Sequence, residues 1–160
     1  MTFLIVLGLY TVALFAVGFF SRRSMGVPAL ALTAGAVLAK LWTDSLTPIV
    51  ANTGVVIIQP PLESLVAIAL TLIPALLVMV RSQKAKAAHH AIVGSIIFAI
   101  LGVMLTYGAF ANAVILDEAS KQYVLTLLSY DKIIITVAII AALLDVLFYR
   151  KPHAGDRHKK

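Results

Sequence analysis

Apolar runs of membrane-spanning length, separated by short stretches that hold nearly all of the charge, constrain this chain more than any other feature. A hydrocarbon core about 30 Å thick needs roughly 20 apolar residues per helix, with about 17–25 as the working range. Five runs approach that length, at about residues 2–20, 27–42, 62–80, 91–116 and 131–149. Within hydrocarbon a crossing segment has to close its own backbone hydrogen bonds, so the pattern predicts an all-α polytopic transmembrane bundle. Composition agrees, since 12% of the 160 residues are charged and 61% hydrophobic, whereas soluble domains carry roughly 25% charged residues. A single transmembrane domain is expected over residues 1–149, followed by a basic tail at 150–160.

The charges also predict orientation. Ten of the thirteen Lys and Arg residues form three clusters: Arg22 and Arg23; Arg81, Lys84 and Lys86; and Arg150, Lys151, Arg157, Lys159 and Lys160. Basic residues flanking spans are retained on the cytoplasmic side. Five crossings with the N-terminus outside place all three clusters and the C-terminus in the cytoplasm, in a plasma (inner) membrane. Lys40, Lys121 and Lys132 then fall on the other side. The alternative is four spans, with the second run as a re-entrant segment, and it separates Arg22–Arg23 from Arg81–Lys86. Five is the better count. The net charge of +6 reads accordingly as an orientation signal with some attraction to anionic lipid rather than a nucleic-acid surface.

The first run has its positive charge after the apolar stretch, at Arg22 and Arg23, the reverse of a cleavable signal peptide. It reads as a retained helix. The second, Val27 to Trp42, is short; Pro28 suits its first turn, Lys40 can snorkel from its far end, and Trp42 suits an interface. Thr43 to Pro61 holds Pro48, Asn52 and Gly54 and is expected to be an outer loop, or a re-entrant segment, that folds over the bundle. Leu125 to Leu128 reads as a short interfacial helix.

Few residues offer chemistry. Ala31, Gly35 and Ala39 stand at four-residue spacing on the second run, and small residues at that spacing let helix backbones approach closely in lipid. They serve either a dimer face or packing inside one bundle. Gly94 and Gly102 make the fourth run a candidate central helix. Pro74, in the middle of the third run, deprives the Leu70 carbonyl of its N–H partner; with Thr71 and Tyr107 it marks a possible gating or pore element. Ionisable groups inside a membrane are functional candidates by default, yet Lys40, Asp44, Glu63 and Asp145 all sit near span ends. Lys40 and Asp44 are spaced to pair, Glu63 and Asp131 suit helix N-termini, and Asp145 has Arg150 and Lys151 nearby. Hydroxyls near mid-membrane, such as those of Thr11, Thr33, Thr71, Ser95, Thr106 and Thr136, are expected to bond the backbone of their own helix. The chain has no cysteine, and His89 and His90 are adjacent, so neither a thiolate site nor a histidine metal pair is expected. No HExxH, nucleophile elbow, P-loop or dinucleotide fingerprint occurs. Neither catalysis nor a cofactor is expected.

Gly18, Arg22, Arg23 and Gly26, then Ala31 to Ala39 and Leu38 to Pro48, resemble the colicin V production protein (CvpA) family of small bacterial inner-membrane proteins. Gly94 to Gly102 after Lys86 is similar to that family's Gly-bearing helix behind a basic loop. The resemblance spans about the first two-thirds of the chain. Its usual Arg-Gly pair is replaced by Arg22-Arg23-Ser24-Met25-Gly26, and a fifth run exceeds the family's four-span plan. The resemblance implies a membrane protein tied to toxin export or envelope homeostasis, and it supplies no catalytic residue. The expected function is therefore that of a non-enzymatic accessory or assembly subunit, in a homo-oligomer or with a partner membrane protein. The alternative is a small oligomeric channel or transporter with a path near Thr71, Pro74 and Tyr107.

Overall fold

The computed structural model describes residues 2–53, 61–82, 88–113, 125–127 and 129–149. Five long helices make up nearly all of them: α1 (Thr2–Ser21), α2 (Gly26–Ala51), α3 (Leu62–Arg81), α4 (Ala88–Ala113) and α5 (Asp131–Tyr149). The fold is all-α, and α1 to α4 are each long and apolar enough to cross a membrane. The chain is a multi-pass integral membrane protein. Its surface agrees: Leu9, Phe20, Leu77 and Leu147 are all more than 60% exposed, and lipid rather than water suits them.

The α1–α2 turn is tight. Arg22 adopts a left-handed φ of 48°, and its N–H bonds back to the Phe19 carbonyl at 3.2 Å, which closes α1. Pro28 is buried in the first turn of α2, where its missing N–H costs no intrahelical bond.

The second helix corrects the expected boundaries. It does not stop at Trp42 but runs 26 residues to Ala51, so Thr43–Ala51 is helix rather than loop. At 1.5 Å per residue it is about 39 Å long, more than the hydrocarbon thickness. Two features let it continue through polar sequence. The Thr43 and Thr47 hydroxyls donate to the Ala39 and Thr43 carbonyls at 2.6 and 2.7 Å, so neither competes for the chain from outside. The bond that Pro48 removes is the one to the Asp44 carbonyl, beside an exposed side chain, where water can serve it. Residues 54–60 of the expected loop lie outside the described residues. Helix α4 begins three residues before the expected 91, while 114–116 again lie outside them. Residues 125–127 are helical, and 128 lies outside.

The helices are not packed in chain order. Helix α4 contacts all four others; α2 contacts α3, α4 and α5, whereas α1 rests chiefly on α4. The core forms where these meet, around Phe98 and Leu101 of α4, Leu32 and Ala29 of α2, Ala75 of α3 and Ala142 of α5. Side-chain placements show that odd helices end where even helices begin. Arg23 reaches the end of α3, Gly18 lies against Ser95, Gly94 against Met25, and Gly26 against Asp145. This shared end carries Arg22, Arg23 and Arg81, with Asp145 the sole carboxylate there among the described residues. Asp44, Glu63 and Asp131 stand toward the other end.

Close approach rests on Gly35. A Cβ there would collide with the Thr71 carbonyl oxygen and lie 2.9 Å from that of Leu70, so the α2 and α3 backbones meet directly. Gly35→Ala is expected to lose about 1–3 kcal/mol, the usual cost of overpacking, in reversible unfolding in detergent. Gly108→Ala is the control. Nothing lies within 4 Å of a Cβ at Gly108, so the variant is expected to be neutral or up to about 1 kcal/mol more stable through helix propensity.

Candidate functional site

The strongest concentration of singled-out residues is the contact of α2 with α3. Pro74 has no N–H to give the Leu70 carbonyl, and that carbonyl faces Gly35 together with the carbonyl of Thr71. A Cα–H of Gly35 points at both oxygens where a Cβ would otherwise stand. Such Cα–H···O contacts recur at helix interfaces and contribute about 0.5–1 kcal/mol each. The Thr71 hydroxyl donates to the Ala67 carbonyl at 2.9 Å, so it does not serve Leu70. Gly35 and Pro74 thus form one packing unit: the proline leaves a carbonyl open, and the glycine brings a second backbone up to it. Ala39 is buried and Ala31 packs against the core. This small-residue face is used within the bundle.

The two glycines singled out on α4 do similar work. A Cβ on Gly94 would stand 3.0 Å from the Cβ of Met25, and one on Gly102 would stand 2.7 Å from Cδ1 of Leu14. Gly94 therefore admits the α1–α2 turn and Gly102 admits α1. Gly18, which sequence reasoning did not place, belongs to the same set through its approach to Ser95. Its signal was available in principle, because Gly18 is one turn from the end of its helix and faces inward with Leu14.

Tyr107 is not brought to Thr71 and Pro74. It is 3% exposed and belongs to a separate small cluster with Phe3, Leu4, Leu7, Ala111 and Leu127. Its ring meets that of Phe3 edge-on, 6.1 Å between centroids at 89°. Its hydroxyl is buried and has no hydrogen-bond partner among the described residues. One turn away, Tyr10 of α1 bonds Oγ1 of Thr106 at 3.1 Å. Thr106 gives its single proton to the Gly102 carbonyl at 2.6 Å, so Tyr10 is the donor. This Tyr10–Thr106–Gly102 chain is a polar tie between α1 and α4. Every other hydroxyl named above at mid-membrane bonds its own helix: Thr11 to Leu7, Thr33 to Leu30, Ser95 to Ala91 and Thr136 to Lys132. Hydroxyl positions alone could not have separated Tyr10 from these.

The end charges divide by role. Lys40, Asp44 and Glu63 are exposed, and Lys40 makes no ion pair with Asp44 within 4.0 Å. The i,i+4 pairing expected of them is not formed; between exposed side chains such a pair gains only about 0.3–0.5 kcal/mol. Asp145 is half-buried, and its Oδ2 lies 2.6 Å from where a Cβ on Gly26 would stand. It sits against the first turn of α2, the positive end of that helix dipole. Arg150 and Lys151, the partners expected for it, lie outside the described residues.

Arg23 does more than add positive charge to the shared end. Its Nη1 donates to the Val80 and Ser82 carbonyls at 2.5 and 2.8 Å, two of the acceptors left open at the end of α3. A guanidinium there also suits the negative end of the dipole. The α1–α2 turn is thereby fastened to the end of α3. Among the described residues, no three His, Asp or Glu side chains gather as a metal site would need.

Compared with protein-family models, with curated proteins and with solved structures, the chain matches none of them.

Two measurements test this arrangement. Tyr107→Phe is expected to leave the unfolding midpoint unchanged or raise it, because it removes a buried hydroxyl that has no partner. Tyr10→Phe is expected to cost about 1 kcal/mol by the same assay. Arg23→Gln should cost about 1–3 kcal/mol and speed amide exchange in the last turn of α3 more than in α4.

Proposed function

We propose that this chain is a non-enzymatic subunit of the inner membrane, crossing five times with the N-terminus outside, and that it acts by docking its outer helix faces against a partner. The partner is a second copy of the chain or another membrane protein. One observation carries this reading. Glycine costs a helix about 1 kcal/mol relative to alanine. At Gly18, Gly35, Gly94 and Gly102 the cost is offset by close approach inside the bundle, but Gly8 and Gly108 are exposed and a Cβ on either would meet nothing within 4 Å. They stand on two helices that pack together, α1 and α4, both toward the end away from the arginines. Small residues on a lipid-facing surface are where another helix can come close.

The fifth crossing is supported by α5, which matches the expected 131–149 run in length and packs on α2 and α4. Its three charges fall within its first two residues and one turn from its end. The orientation is supported by the shared end that gathers Arg22, Arg23 and Arg81. The resemblance of about the first two-thirds of the chain to the CvpA family adds a context, envelope homeostasis or toxin export, in which such a subunit would serve.

The test is assembly. Gly8→Leu with Gly108→Leu is expected to break a complex visible by native mass spectrometry while leaving the unfolding midpoint of the monomer unchanged or raised. A wild-type chain that migrates as a lone monomer from native membranes would reject the reading. Topology can be checked separately, since the chain has no native cysteine. Ser24→Cys and Ser82→Cys should be labelled only from the cytoplasmic side, and Asp44→Cys and Asn52→Cys only from outside.

A further inference from the structure

The three described arginines of the shared end are not equivalent. The Arg23 guanidinium is committed to the Val80 and Ser82 carbonyls. Those two residues flank Arg81, so the bond sets Arg81 beside the turn that carries Arg22. Arg22 and Arg81 are both exposed, and neither side chain has a hydrogen bond or ion pair among the described residues. The one carboxylate at this end among the described residues, Asp145, is half-buried against α2. Two arginines on segments that the Arg23 bonds join are therefore exposed without a counter-charge among the described residues. The backbone holds them there. Arg22 is fixed by its left-handed turn and by the N–H bond to Phe19, and Arg81 by the capped end of α3.

The helix turns that lead to them expose apolar side chains. Phe20 is 80% exposed on α1, and Val80 and Leu77 are 67% and 65% exposed on α3. Helices α1 and α3 do not pack closely on each other along their lengths; the Arg23 bonds join their ends. We propose that this seam binds an anionic phospholipid, with Arg22 and Arg81 on the headgroup phosphate and the acyl chains along Phe20, Leu77 and Val80. Guanidinium groups bind phosphate through paired N–H donors. Each basic residue near an anionic membrane surface adds about 1 kcal/mol of attraction. A free anion would use the arginines but gain nothing from the apolar skirt, which favours a lipid over inorganic phosphate. The proposal rests on the membrane-spanning reading and goes beyond it, because orientation needs charge on one side but no seat for a particular headgroup.

The test uses the full chain in detergent, first confirmed to resist extraction from membranes by alkaline carbonate. Retention of phosphatidylglycerol and of phosphatidylcholine with the same acyl chains is compared by native mass spectrometry. Phosphatidylglycerol is expected to be retained about tenfold more strongly. Arg22→Gln with Arg81→Gln should bring the two lipids near parity, Arg22→Lys with Arg81→Lys should keep most of the preference, and Lys40→Gln with Lys132→Gln should leave it intact. Equal retention of the two lipids by the wild type overturns the proposal, and this arm stands even where the Gln variant fails to fold. So does an equal loss from the Lys40 and Lys132 variant, which would make the effect one of net charge. Displacement of phosphatidylglycerol by equimolar inorganic phosphate would identify a seat for free anions instead. A chain released by carbonate would overturn the membrane reading itself, a result distinct from a membrane-embedded chain with no lipid preference.

Discussion

Two helix backbones meet at Gly35, and the rest of the bundle is arranged around that meeting. In hydrocarbon no water competes for a backbone carbonyl, so an acceptor left open by a proline is a liability. Pro74 creates one at Leu70. Gly35 brings α2 close enough for its Cα hydrogen to face that oxygen and the neighbouring one of Thr71. With α2 and α3 so paired, α4 packs against both, α5 covers the other contact of α2 with α4, and α1 attaches through Gly18, Leu14 and the Tyr10–Thr106 bond. Apolar side chains alone could not select this order, because lipid tails are as apolar as leucine. Close approach and a few hydrogen bonds select it.

Polar groups inside the bundle follow the same economy. The mid-membrane Ser and Thr hydroxyls named above return their protons to their own helices, and among the described residues the Tyr10 hydroxyl crosses to another. Tyr107 is the exception, a buried hydroxyl with no partner among the described residues, held by the edge-on contact of its ring with Phe3. Charged groups stay at the ends, and there they take different parts. Arg23 caps a helix, Asp145 faces the start of α2, and Arg22 and Arg81 remain outward-facing. Two basic clusters of the sequence thus supply a structural staple, Arg23, and two arginines with no partner among the described residues.

Much of this could be read from the residues. Runs of hydrophobic residues bounded by charge mark helices, since periodicity hardly matters when all sides face oil or other helices. The end of α2 was not readable in that way. Lys40, Asp44 and Pro48 interrupt the hydropathy of that run, and what carries the helix on to Ala51 is threonine hydroxyls bonding backward and packing against α3, neither of which is a property of composition. The small residues were readable as contact points but not as contacts with a particular helix. Ala31, Gly35 and Ala39 fit a dimer as well as a bundle until the position of α3 is known. Thr71, Pro74 and Tyr107 looked like members of one polar path, but Thr71 and Pro74 lie at α3's contact with α2, and Tyr107 lies in a separate cluster with Phe3 of α1.

By itself the sequence determined that the chain is helical, that it belongs in a membrane and which ends of its helices are basic. These follow from local quantities, the cost of exposing backbone to hydrocarbon and of moving a charge through it, and local quantities are written in residue order. Tertiary structure decided which helix each glycine admits, that Arg23 is bound while Arg22 and Arg81 face outward, and that Gly8 and Gly108 have no neighbour inside the bundle. Those depend on which helices meet, and in lipid that choice is made by surface shape rather than by hydrophobicity, which is nearly the same all around each helix.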